Sequence, residues 1–218
     1  MKTAIQIDFD ETITIEDVSF LLLDTYVGQK WRDELVQYSS GQIPVGTFNK
    51  RVFGMMKASR KTMINFVLTD PRVQIRRGFK ELLEYCEQKG YRIVIVSNGL
   101  MFYIQAILKK LGLDKIKDMD IYAAKNDFYK GGVKVAYIGP EGNELEAGFK
   151  EAYTAMLKKQ GYSIVYIGNG SSDIYPSRMA DIVFATDQLL KRCEAEKLKC
   201  ASFEDFFEVI EGLRSLDL

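Results

Sequence analysis

Along this chain, short runs of β-branched and aromatic residues take turns with stretches whose apolar positions recur every three or four residues. The runs fall at Ala4 to Ile7, Tyr91 to Val96, Asp120 to Ala124, Ser163 to Ile167 and Asp181 to Ala185. Each is bounded by glycine or polar residues and reads as a buried strand. Helical spacing lies between them: Phe79, Leu82, Leu83 and Cys86; Ile104, Ile107, Leu108 and Leu111; Phe149, Ala152, Tyr153 and Met156. Strands that are apolar throughout need cover on both faces. The pattern therefore predicts a doubly wound α/β fold around a mainly parallel sheet.

Two stretches break the rhythm. From residue 13 to about 76 no strand follows the first one, and the spacing is helical throughout: Val18, Leu21, Leu22; Trp31, Leu35; Phe48, Val52, Met55; Met63, Phe66, Val67. This predicts a helical subdomain over 13–76, inserted into a core made of residues 1–12 and 77–218. From Asn126 to Ile138, Lys130-Gly131-Gly132 separates Phe128-Tyr129 from the alternating Val133, Val135 and Tyr137, which predicts a β-hairpin.

Composition narrows the function classes. Hydrophobic residues at 47% with only four prolines supply a packed core and exclude a disordered chain. Thirty basic residues balance thirty acidic ones, so the positive excess that drives nucleic-acid or anionic-membrane binding is missing. The longest apolar stretches, such as Phe20 to Leu23 and Ile93 to Val96, fall far short of the roughly 20 residues that cross a bilayer. Gln6, Asp8 and Asp10 interrupt the first apolar run too early for a signal-peptide core. Cys86, Cys193 and Cys200 are odd in number and lack CxxC spacing, so they read as reduced thiols of a cytoplasmic protein. The absence of histidine excludes Ser-His-Asp and Cys-His nucleophiles and His-ligated zinc, and leaves acid/base work to carboxylates, Lys, Tyr or Cys.

In a parallel sheet, ligands bind outside the carboxyl ends of the strands. Asp8-Phe9-Asp10-Glu11-Thr12 follows the first predicted strand, Ser97-Asn98-Gly99 follows the second at a helix start, and Gly168-Asn169-Gly170-Ser171-Ser172-Asp173 follows the fourth. Each alone is equally the chemistry of helix caps and tight turns. Together they bring carboxylates, a small hydroxyl and a Gly-rich turn to one mouth, with oxygen ligands of the kind that suit Mg²⁺.

Taken in order, IDFDETIT, VSNG, GFK and IGNGSSD resemble the four signature motifs of the haloacid dehalogenase superfamily of phosphatases. KRVFGMMK, FVLTD and IRRGF look most like its methionine-salvage type, with the phosphoserine phosphatase branch close by; both carry a helical cap where residues 13–76 lie. The resemblance implies an aspartyl-phosphate on Asp8, with Asp10 first as general acid and then as base. It implies that Ser97, Asn98 and Gly99, with backbone N–H groups around Phe9 and Asp10, hold the phosphoryl oxygens, and that Lys150 neutralises them. Mg²⁺ would be held by Asp8, the Asp10 carbonyl, Asn169 and Asp173. Asn169 stands where the family usually has an acid, and Glu11 where a glycine often follows. Asp17 and Arg51 align with cap positions that grip the substrate head group in phosphoserine phosphatases, while Phe53, Met55 and Met56 are core candidates.

The expectation is a Mg²⁺-dependent phosphomonoesterase, monomeric or homodimeric, acting on a small phosphorylated metabolite. A methionine-salvage enol phosphate or phosphoserine would be the substrate, with no nucleic-acid or membrane partner. A catalytically weak phosphate-binding relative stays open because of Asn169, as does a phosphotransferase working through the same intermediate.

Overall fold

A computed structural model describes residues 2–116 and 118–216. Its seven-stranded sheet has the order β4-β3-β2-β1-β5-β6-β7. The strands are β1 (Lys2–Ile7), β2 (Arg92–Leu100), β3 (Met119–Tyr129), β4 (Gly132–Ala136), β5 (Tyr162–Gly168), β6 (Ile182–Ala185) and β7 (Ala201–Ser202). All neighbours run parallel except the β3–β4 hairpin, whose turn is the predicted Lys130-Gly131. Ile7 lies in register with Ile95 on one side and Ile167 on the other, so β1 is central and covered on both faces.

The helices are α1 (Val18–Tyr26), α2 (Arg32–Ser39), α3 (Val45–Gly54), α4 (Arg60–Thr69), α5 (Phe79–Lys89), α6 (Met101–Lys110), α7 (Phe149–Lys159), α8 (Ile174–Ser177), α9 (Asp187–Glu196) and α10 (Phe206–Ser215). α5 shows why the periodicity works: Phe79, Leu82, Leu83 and Cys86 form one buried stripe, and Gly90 ends the helix in the left-handed region at φ 68°. Each such fully buried apolar side chain contributes about 1.5–3 kcal/mol. No described helix is long and apolar enough to cross a membrane. The three cysteines are free, Cys86 and Cys193 buried and Cys200 half-buried.

Helices α1 to α4 leave the sheet after β1 and return before α5 along adjoining segments, where Thr14 bridges Ile75 and Arg76 N–H donates to the Ile13 carbonyl at 2.8 Å. This cap is seated on the hairpin through α3. Gly46 N–H donates to the Glu146 carbonyl at 3.0 Å, and a Cβ on Gly46 would stand 2.7 Å from that oxygen, so only glycine permits the approach. Lys50 adds ion pairs to Glu144 and Glu146. Phe53 and Met56 are fully buried in the core, as their apolar character favours, while Met55 is partly buried.

Two sequence expectations change. β2 runs past Val96 through Leu100, so Ser97-Asn98-Gly99 lie within a strand and not at a helix start. Opposite β3, Val96 pairs with Tyr122 and Leu100 with Ala124, so the intervening residues are squeezed out as a bulge. Bulges free backbone groups from the ladder and re-aim side chains. β7, α9 and α10 also extend the architecture beyond the elements read from the pattern.

Candidate active site

The chain reverses direction across the sheet at β1: β2 and β3 lie on one side, and β5 to β7 on the other. Such a switch point opens a crevice at the carboxyl ends of the strands. Asp8 leaves β1 there, its N–H donating to the Ile167 carbonyl at 3.0 Å. The turn beyond it winds around the Phe9 carbonyl, which accepts from the N–H groups of Thr12, Ile13 and Thr14. Glu11 adopts φ 58° in that turn. Arg76 staples the turn from outside, donating to the carbonyls of Glu11 at 2.7 Å and Thr12 at 2.9 Å.

Lys150 enters the crevice from the first turn of α7. Buried Gln6 on β1 sets its place: Gln6 Nε2 donates to the Lys150 carbonyl at 3.3 Å, and the Thr154 hydroxyl lies 2.9 Å from Gln6 Oε1. The Lys150 ammonium reaches Asp8 Oδ1 at 2.8 Å and Asp173 Oδ1 at 2.6 Å. Asp173 also accepts from the Tyr166 hydroxyl at 2.5 Å and from the N–H groups of Asn169 and Gly170 at 3.1 and 2.8 Å. Among the described residues Lys150 is the one buried cation.

That imbalance governs the electrostatics. Burial alone would lower the Lys150 ammonium, but Asp173 and Asp8 outweigh it and hold it above the usual lysine range. Asp8 is also pushed up, to about 8, first by burial and then by Asp173. The two carboxylates that keep Lys150 charged share that one ammonium, so Lys150 only partly offsets the burial that raises Asp8.

Asp10 Oδ1 accepts from the Val18 N–H at 3.0 Å, and Oδ2 from the Tyr103 hydroxyl at 2.5 Å. Burial raises its pKa to about 6, and these two hydrogen bonds oppose the rise. The Tyr103 hydroxyl lies 2.8 Å from Ser19 Oγ as well. Gly99 makes room for this pair, since a Cβ there would stand 1.8 Å from the Tyr103 oxygen and 2.4 Å from Asp10 Oδ2. Gly99 N–H itself is used within the bulge, donating to Ser97 Oγ at 2.9 Å.

The structure thus brings Asp8, Lys150, Asp173 and, through its backbone, Asn169 together, with Asp10 beside them. Asn169 is nearly buried; its Oδ1 accepts from the Thr12 hydroxyl at 2.9 Å and its Nδ2 donates to Glu11 Oε2 at 3.1 Å. Asp17 caps α1, its Oδ1 accepting from Phe20 N–H at 2.8 Å. Burial and then Asp10 hold its pKa well above the usual carboxylate value, so it also feels the crevice. Arg51 is turned elsewhere: its guanidinium donates to Glu34 at 2.9 Å and Gln37 at 3.2 Å within the cap. The cap instead reaches the core through Asn49, which donates to the Asn98 carbonyl at 3.0 Å, and Tyr38, whose hydroxyl feels Lys150, Asp173 and Ser171. Sequence reasoning missed Tyr103, Ser19 and Tyr38, whose only signal was polarity inside apolar helical stripes.

The donor set suits a hard divalent cation: oxygen atoms throughout and more negative charge than Lys150 balances. No three acidic or sulfur side chains converge on one point among the described residues, so amide and backbone carbonyl oxygens would have to complete the shell.

Fold and strand-end carboxylates together define a capped α/β hydrolase. The chain belongs to the haloacid dehalogenase-like hydrolase family, whose model matches residues 5–175. It is 29% identical over 220 residues to the 2-hydroxy-3-keto-5-methylthiopentenyl-1-phosphate phosphatase of Geobacillus thermodenitrificans (strain NG80-2), covering 97% of this chain and 95% of that protein. The phosphatase of the same name from Exiguobacterium sibiricum is 29% identical over 227 residues, covering 100% of this chain and 99% of that one. Among solved structures, a substrate-bound phosphoserine phosphatase superposes with a TM-score of 0.71 at 18% identity, covering 97% and 98% of the two chains. A phospho-aspartyl intermediate analogue of phosphoserine phosphatase gives 0.69 at 20% identity, covering 96% and 98%. These two likenesses are of fold.

Proposed function

We propose that this protein is a Mg²⁺-dependent phosphatase that hydrolyses a small phosphomonoester through an aspartyl-phosphate on Asp8, with a methylthio-enol phosphate of methionine salvage as its substrate. The observation that carries the reading is the buried Asp8–Lys150–Asp173 arrangement with Asp10 alongside. The Asp8 carboxylate attacks phosphorus, and the Lys150 ammonium balances charge on the phosphoryl oxygens. Asp10 ionises near neutrality, so it can protonate the leaving oxygen and then take a proton from the water that opens the acyl phosphate. Tyr103, shared between Asp10 and Ser19, keeps a hydrogen bond in either protonation state. Ser97 and the Asn98 N–H would hold the phosphoryl oxygens.

Asp8, Asp173, the Asn169 amide oxygen and the Asp10 carbonyl would hold Mg²⁺, which when bound supplies positive charge beside the phosphoryl oxygens. The substrate assignment follows the names of the curated relatives and the charge of the crevice. Asp10 and Asp17 disfavour a second anionic group, and Arg51, the cation suited to the carboxylate of phosphoserine, is held by Glu34. Phosphate release from the methylthio-enol phosphate and from phosphoserine, each with Mg²⁺ or EDTA, tests the reading. Mg²⁺-dependent release, faster from the enol phosphate, is expected; preference for phosphoserine overturns the substrate, and no release from either overturns the activity.

A further inference from the structure

The half-buried Arg76 commits its whole guanidinium to main chain. Its Nε donates to the Thr12 carbonyl at 2.9 Å, its Nη2 to the Glu11 carbonyl at 2.7 Å and its Nη1 to the Glu204 carbonyl at 2.8 Å. The Phe203 ring lies beneath, its centroid 5.6 Å away. A planar fork of donors fixes backbone groups relative to one another in a way that a flexible ammonium cannot.

The turn that Arg76 grips needs holding. Glu11 stands there at φ 58°, a region that residues with a Cβ avoid. From inside, the turn is held by the Phe9 carbonyl and by the Thr14 hydroxyl, which accepts from the Glu11 N–H at 3.2 Å. From outside, the carbonyls of Glu11 and Thr12 are taken by Arg76. The main chain of Arg76 belongs to the ribbon through which the cap leaves and rejoins the core. Its N–H donates to the Ile13 carbonyl at 2.8 Å, Ile15 N–H donates to the Gln74 carbonyl at 2.9 Å, and Thr14 bridges Ile75. One residue thus fastens the turn beside Asp10 to the base of the cap and to the segment leading into α10. The Asp10 carboxylate is aimed by Val18 N–H and Tyr103, but where it stands depends on the main chain that follows it. Resting on the phosphatase reading above, we infer that Arg76 is a positioning residue. By holding the Glu11 and Thr12 carbonyls it keeps Asp10 where a proton passes to and from the reacting group, and it acts through Asp10 without touching substrate.

A misplacement of about 1 Å in a catalytic group costs about 10²-fold. In a variant shown by circular dichroism to be folded, and at saturating Mg²⁺, Arg76→Ala should lower kcat on the preferred substrate about 10²-fold while KM stays within about threefold of wild type. In the Asp10→Asn background the same change should cost less than about threefold, because the group that Arg76 positions is already gone. Arg76→Lys keeps the charge and loses the fork; it should lose about tenfold in kcat, and it carries the same measurements if Arg76→Ala does not fold. A lower melting temperature with unchanged kcat would make Arg76 structural only. A raised KM at constant kcat would place it in recognition, and a full further loss in the Asp10→Asn background would show that it does not act through Asp10. Each of these overturns the inference and leaves the phosphatase reading intact. Absence of phosphate release from the wild-type protein would overturn that reading and this inference with it.

Discussion

The two ends of the central sheet treat charge in opposite ways. At the amino end a groove of about 680 Å³ is bordered by Lys2, Lys89, Arg92 and Asp120. Arg92 and Asp120 there are paired and wet: they meet at 2.7 Å with side chains 25% and 37% exposed, and Arg92 also donates to Gln160 at 3.0 Å. At the carboxyl end, Asp8 and Asp173 are almost wholly buried with Lys150 between them, and Asp10 and Asp17 stand close by. The electrostatic imbalance is at the carboxyl end. Exposed charges at the groove are screened by water at little cost, whereas buried uncompensated carboxylates cost stability that only a function repays.

The largest expected effect that would break this contrast is at Asp8. Asp8→Asn should cut phosphate release by at least about 10³-fold, the scale for removing a nucleophile. The folded variant should also melt higher than wild type at pH 8 without Mg²⁺, since it sheds a carboxylate pressed up to about 8. More than a tenth of the activity remaining would end the nucleophile assignment. Asp10→Asn should lose about 10²-fold or more in turnover, the usual scale for a general acid/base. Calorimetric titration should still find Mg²⁺ binding in that variant, because the backbone carbonyl is retained; loss of binding would show that the side chain itself is the ligand.

A pH series sharpens the comparison further. In the folded chain Asp10 and Asp8 ionise at about 6 and about 8, against an ordinary 3.8. The folded state therefore binds more protons than the unfolded one above about pH 4, so stability falls as pH rises toward 8. Melting temperature in EDTA should decline across that window, and Asp8→Asn should flatten the upper half of the decline. A melting temperature that rises from pH 4 to 8 would mean that Lys150 fully compensates both carboxylates. The smallest effect belongs to the other end: Arg92→Ala should cost about 1 kcal/mol or less, as for an exposed ion pair, and leave turnover unchanged. A large loss of activity there would show that the amino-end groove takes part in function.

The fold and part of the site were legible in the sequence. Lys150 could be placed by its motif, but its pairing with both Asp8 and Asp173 could not. Three elements meet there, and the position depends on Gln6 gripping the first turn of α7 from the central strand. Arg51 shows the opposite case. Its position in the cap was correct, yet Glu34 on the preceding helix holds its guanidinium. Ser97-Asn98-Gly99 was read as a helix start because Ser and Asn are frequent caps; the bulge that displaces it depends on the register of β3, some twenty residues away.

The sequence by itself determined the kind of element at each place, because side-chain period is a local property of helices and strands, and it ordered three of the four motifs at strand ends. Topology then decided which groups meet. Only the folded chain pairs Asp10 with Tyr103, Asn169 with Glu11 and the Asn98 carbonyl with the cap, contacts spanning 93, 158 and 49 residues. No periodicity encodes such contacts. They arise when β1 takes the centre of the sheet and burial strips water from the acids at its end, so that the pKa values are properties of the packing and not of the residues.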